Sequence, residues 1–378
     1  MIYFDNAATG GRKPDQVLTA VASSIKVCAN PGRSGHQLSL SCANLVHACR
    51  GALNEYFNGY GVDKVVFTKN CTEALNIALL GVLKKGDHVV TTCMEHNSVL
   101  RPLEFLKNIG TIEYDVCPLR GDDERSKNIH PEDILALIKP NTRLIAVTAA
   151  SNVNGAIPNL EAIRAVLPKR VLLLCDGAQG GGHLPINMQK TGVDLLALAG
   201  HKGMLGIQGS GALLFSDRAE PSPLLFGGTG SMSVSLQMPD FYPDALEAGT
   251  LSFPAVLSLL EGVRYLTVHD RQIRSRLTML TACFLKKLRL LRGYECYSLP
   301  NPCGIVAFKH QRLPSEHIAE LLSNSFHIAV RGGLHCAPLM HEALGSLDGG
   351  LVRVSFSHFN SEPEGDELIY ALEKIDAM

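Results

Sequence analysis

Apolar and polar positions along this chain come in blocks. Short apolar runs at 64–68, 88–92, 144–148, 171–174 and 195–198 are each followed by a polar turn. Between them lie longer stretches where apolar residues recur every three or four positions, as Leu75, Leu79 and Val82 do. A run of four or five apolar residues fits a strand buried on both faces, and the longer period fits helices packed over it. Five such strands alternating with helices predict an α/β fold with a mostly parallel sheet covered on both sides. A further strand is expected at 212–215, and helices at about 14–28 and 39–57 and from Cys71 onward. Beyond residue 253 the pattern predicts two long helices, 254–268 and 270–292. Strands near 303–308 and 351–356 with a helix at 314–324 then form a smaller α+β domain. The expected division is a large domain of 16–260 and a small one of 1–15 with 261–378.

Ligands of open α/β sheets gather where parallel strands end. Each apolar run here delivers a different polar group at that end, so Thr72, His96, Asn152, Asp176 and Lys202 are predicted to converge. The turn at Cys71 and Thr72 opens a helix, whose free N–H groups and dipole suit an anion, although Asn70 also reads as a plain cap. Lys202 leaves a hydrophobic strand beside glycines. It reads either as a surface cation or as an amine kept neutral enough to form a Schiff base. Asp176 reads as a helix cap or as an acid facing a protonated ring nitrogen. A cofactor with a phosphate, an aromatic ring and an aldehyde would use all of these groups. Residues 71–72 would take the phosphate, His96 would stack on the ring, Lys202 would bond the aldehyde, and Asp176 would hold the ring as an electron sink.

Composition narrows the classes. The chain has 378 residues, 46% hydrophobic and 19% charged, which is an ordinary globular balance. A net charge of −1 argues against a partner bound through nucleic-acid phosphates. No apolar run approaches the roughly 18 residues of a membrane span, and the opening five residues lack the features of a signal peptide, so a cytoplasmic protein is expected. Eleven cysteines without a CxxC pair suggest reduced thiols and no metal site. No glycine fingerprint of a dinucleotide or ATP site follows the first strand. Arg33, the one charged group in the turn at 30–36, is either a solvated loop residue or a ligand contact.

Four stretches, Asp5-Asn6-Ala7-Ala8-Thr9, Ser151-Asn152-Val153, Asp176-Gly177-Ala178-Gln179 and Gly200-His201-Lys202, occur in that order. Together they resemble the class V, fold-type-I pyridoxal phosphate (PLP) enzymes. Arg331-Gly332-Gly333-Leu334-His335-Cys336-Ala337 resembles the cysteine loop of cysteine desulfurases and selenocysteine lyases. The resemblance implies the PLP-dependent transferase fold and gives each residue a role. Lys202 would be the Schiff-base lysine, Asp176 the partner of the pyridine nitrogen and Gln179 a contact of the ring hydroxyl. His96 would stack on the ring and move protons, and Asn152 would sit near the ring hydroxyl and substrate. Cys71, Thr72 and His201 would complete the cofactor site. Arg353 would clamp the substrate carboxylate, while Thr250 would reach the phosphate of a neighbouring subunit and Arg33 would line that subunit's site.

That arrangement implies a homodimer with shared active sites. Cys336 would take sulfur from L-cysteine, or selenium from L-selenocysteine, leaving alanine. Arg331 and His335 would favour its thiolate if their side chains face it, and Gly332 and Gly333 would let the loop swing outward. The short separation of Cys336 from Arg353 resembles the compact-loop branch, in which a partner protein accepts the sulfur. The resemblance also admits another enzyme of the fold (a C–S lyase, epimerase or aminotransferase) or a partner protein without turnover. Ala199 stands where relatives commonly carry a phosphate-binding hydroxyl.

Overall fold

The computed structural model describes residues 1–26, 28–32 and 34–377. A seven-stranded sheet forms its centre. In spatial order the strands are Val65–Thr68, Gly211–Phe215, Leu195–Ala199, Leu172–Asp176, Thr142–Thr148, Asp87–Thr92 and Ile112–Cys117. Neighbours run parallel except at Gly211–Phe215, which is antiparallel to the strands on either side of it. The apolar runs became strands because both of their faces are covered. Leu144, Leu172, Leu174 and Leu195 pack with Leu75 and Leu79 of the helix Cys71–Val82, whereas Ile145, Leu173, Leu196 and Leu198 join a core on the opposite face. Alternate residues of each strand thus enter different cores, which is why the sequence shows no alternation there.

Two elements depart from the expectation. The edge strand Ile112–Cys117 was not anticipated, because only its first and last residues are buried and Glu113 is exposed. The helices expected at 254–268 and 270–292 are one helix, Phe253–Leu288, of 36 residues. No glycine or proline interrupts the stretch Val268-His269-Asp270, and Asp270 pairs with Arg274 one turn on at 2.5 Å. Leu259, Leu266, Ile273, Leu277 and Phe284 stay buried along its length, so one apolar face runs through the join. The expected domain boundary at residue 260 falls inside this helix.

The last third holds an antiparallel sheet ordered Val352–Ser355, Ile305–His310 and Tyr294–Cys296, with helices Ser315–Phe326 and Glu362–Asp376. The N-terminal strand Ile2–Tyr3 pairs in parallel with Ile328–Ala329, fastening the start of the chain to this third. Among the described residues no helix is long and apolar enough to cross a membrane.

Candidate active site

The strand ends converge as expected. Thr72, His96, Asn152, Asp176, His201 and Lys202 line one cavity, with Cys71, Gln179 and Ala199 in its wall. Asp176 closes its strand, and its Oδ1 accepts the Ala178 N–H at 2.9 Å and the Cys71 thiol at 3.4 Å. Lys202 leaves the neighbouring strand end. Burial lowers its pKa, opposed by the charge of Asp176 and reinforced by Arg353 and Arg331, so the amine gives up its proton more readily than a surface lysine.

His96 caps the helix Asn97–Asn108 by accepting the Ser98 N–H at Nδ1, 3.0 Å. Burial lowers its pKa to about 4. A neutral ring accepting at Nδ1 carries its proton on Nε2, which fixes the tautomer. His201 is likewise lowered to about 4 by burial, and its Nδ1 meets Thr9 Oγ1 at 3.0 Å. Its carbonyl accepts the Gly10 N–H at 3.0 Å and Lys13 Nζ at 2.8 Å. Gln179 Nε2 donates to the Ala7 carbonyl at 3.0 Å. The first residues of the chain therefore brace the turn that carries Lys202.

Arg353 is 1% exposed, and its Nη2 donates to Asp5 Oδ1 at 2.9 Å while Nη1 donates to the Asn152 carbonyl at 3.0 Å. A buried guanidinium needs such a counter-ion. Its Nε is buried without a hydrogen-bond partner among the described residues, so that donor is unspent. Cys336 is exposed at the rim, and its backbone is pinned there. The Asn97 N–H donates to its carbonyl at 2.7 Å, and Asn152 Nδ2 donates to the His335 carbonyl at 2.8 Å.

Two expectations about this loop are corrected. Gly332 and Gly333 do not free it to swing. A Cβ at Gly332 would come within 2.5 Å of the Ser315 carbonyl oxygen, and Gly333 sits at φ +105° against Gly350. Close packing and backbone geometry require the glycines. His335 does not favour a thiolate: its buried Nε2–H donates to the Leu351 carbonyl at 3.0 Å, and burial lowers its pKa to about 2. It carries no charge near neutral pH.

Thr250 is exposed and lines a separate cleft with Phe67, Leu246 and Leu251. Its segment is held by Glu247, whose carboxylate accepts both terminal nitrogens of Arg50 at 2.8 and 2.5 Å. Arg33 lies outside the described residues. Asp5, Glu95 and Ser98, in or beside the cavity, were missed in the sequence. Glu95 Oε1 accepts Thr92 Oγ1 at 2.6 Å and the Thr148 N–H at 2.9 Å, whereas Oε2 is buried without a partner. Its position before His96 was the available signal.

Burial raises the Glu95 pKa to about 8 from 4.5, so the folded state holds a proton that the unfolded chain has lost. That contribution is complete below pH 4.5 and is lost as pH rises through about 8. The lowered histidines act oppositely. Their contribution is present above 6.5 and is lost as pH falls through about 4 for His96 and His201. Calorimetry of the protein is expected to show a melting temperature that is highest near pH 6.5, and Glu95→Gln should reduce the decline from there to about pH 8 while steepening the rise between 4.5 and 6.5. An alkaline limb unchanged in Glu95→Gln would refute the assignment.

The class-V aminotransferase family model matches residues 2–368. A probable cysteine desulfurase of Methanothermobacter thermautotrophicus is 32% identical over 388 residues, covering 100% of this chain and 95% of the relative. Among solved structures, the apo cysteine desulfurase of Thermococcus onnurineus NA1 superposes with a TM-score of 0.88 at 29% identity, covering 100% of this chain and 94% of that one. The cysteine desulfurase CsdA of Escherichia coli gives 0.87 at 25% identity, covering 98% and 94%. The α/β architecture with its mostly parallel sheet is that of PLP fold type I, and the chain belongs to the class-V aminotransferase family.

Proposed function

We propose that this chain is a PLP-dependent cysteine desulfurase that converts L-cysteine to L-alanine and leaves the sulfur on Cys336. One observation carries the reading: a cavity holding a lysine and an aspartate is flanked by a buried arginine with an unspent donor, and an exposed cysteine is pinned beside it. The donor set fits the cofactor. Lys202 would anchor it, Asp176 would face its ring nitrogen, and Cys71, Thr72 and His201 would surround its phosphate. His96, Gln179 and Asn152 would frame its ring. Bound there, PLP would supply an electron sink for charge released at the substrate's α-carbon.

The protein's own groups do the rest. Arg353 holds the substrate carboxylate through its fork of donors. Lys202 takes the α-proton, for which a lowered pKa suits it. His96, protonated on Nε2 and held by its helix cap, donates from that one atom. Cys336 attacks as a thiolate. Its sulfur bonds to the substrate sulfur as the substrate's Cβ–S bond breaks, so the products are a protein persulfide and alanine, with no external oxidant or reductant.

L-selenocysteine is an alternative substrate for the same geometry. The active unit is a homodimer in which Thr250 reaches the neighbouring site, and a second protein accepts the sulfur in the cytoplasm. Supplying L-cysteine without an acceptor should yield one alanine per persulfide formed on the protein, counted by amino-acid analysis and mass spectrometry. Pyruvate and free sulfide in place of alanine would reject the reading.

A further inference from the structure

Three hydroxyls line the cavity, those of Thr72, Ser98 and Thr148. Thr148 Oγ1 donates to the Ala150 carbonyl at 2.9 Å, so its proton is spent. The wall at residue 199 offers only a methyl group. Thr72 Oγ1 and Ser98 Oγ lie 2.8 Å apart, one on the first turn of Cys71–Val82 and the other on the first turn of Asn97–Asn108. Ser98 Oγ is also 2.9 Å from His96 Nδ1. That nitrogen has one lone pair, and the Ser98 backbone N–H already reaches it at 3.0 Å. The Ser98 hydroxyl proton is therefore not needed by the ring and is free to turn towards an anion.

We propose that Ser98 is a cofactor-binding residue, its hydroxyl joining that of Thr72 as a pair of donors to the phosphate and replacing a donor that Ala199 cannot provide. The inference rests on the reading that this cavity binds PLP. Two hydroxyls at hydrogen-bond distance need only one proton between them when no anion is present. An anion beside them takes both protons, and hydrogen bonds to a charged acceptor are the stronger kind. Ser98 thereby links the phosphate end of the site to the helix cap that sets the tautomer of His96.

Ser98→Ala removes the hydroxyl and keeps the capping N–H, and Ser98→Thr retains both. The test titrates apoenzyme with PLP and, separately, with pyridoxal, which has the ring and aldehyde without the phosphate, following the visible absorbance of the lysine-bound cofactor. Ser98→Ala should weaken PLP binding by about ten-fold to a hundred-fold and leave pyridoxal binding unchanged, with Ser98→Thr restoring the wild-type constant. An unchanged PLP constant in Ser98→Ala would overturn the proposal. Equal loss of PLP and pyridoxal would do so as well, because the hydroxyl would then shape the ring site and not hold phosphate. Wild-type protein that gains absorbance with neither compound would defeat the reading of the cavity itself.

Discussion

Lys202→Ala is expected to lower alanine formation from L-cysteine by at least about 10³-fold, since one substitution removes both the anchor of the cofactor and the base for the α-proton. The fold should survive it. Burial is the largest influence on this amine, and Arg353 and Arg331 also disfavour its charge, so the loss relieves the site more than it damages it. The variant is expected to melt at or above the temperature of the wild-type apoenzyme, while PLP passes off it during gel filtration. No visible absorbance should remain with the protein. A variant that keeps both that absorbance and its turnover would remove Lys202 from the centre of the site.

The convergence of Lys202 with Asp176 was legible because parallel strands buried on both faces leave an unmistakable apolar run, and their ends fall on one edge by topology. Less was legible where a strand is half-covered. Ile112–Cys117 sits at the sheet edge and exposes Glu113, so its composition reads as a loop. The joined helix was hidden for a related reason. The polar pair His269-Asp270 resembles a terminus until the Asp270–Arg274 pair is seen to bridge it.

Within the site, the sequence pointed to groups delivered by the strand ends and missed those that packing supplies. Asp5 stands far from Arg353 along the chain, and only the docking of the N-terminal strand beside the last third makes it the counter-ion. The cysteine loop misled for a similar reason. Glycines signal freedom in a sequence, whereas here Gly332 permits an approach to Ser315 that any side chain would block. His335 looked like a charge beside the thiol, and burial made it a neutral donor to the Leu351 carbonyl.

Cys336→Ala separates the two halves of the proposed chemistry. Its backbone carbonyl bonds to the Asn97 N–H and the preceding carbonyl bonds to Asn152, and neither contact uses the thiol. Both His335 and Cys336 have positive φ, +50° and +56°, a conformation that alanine tolerates about as well as cysteine. The loop should therefore keep its place, and the cofactor should bind with its absorbance intact. Adding L-cysteine should still perturb that absorbance, because Lys202, His96 and Arg353 remain. Sulfur transfer has lost its acceptor, so alanine formation is expected to fall by at least about 10³-fold, with no protein-bound sulfur detected by mass spectrometry. Of the eleven cysteines only Cys28 shares the exposure of Cys336, which makes Cys28→Ala the matched control, expected to turn over normally. Sulfur accumulating on the Cys336→Ala protein at the wild-type rate would mean that another thiol is the nucleophile.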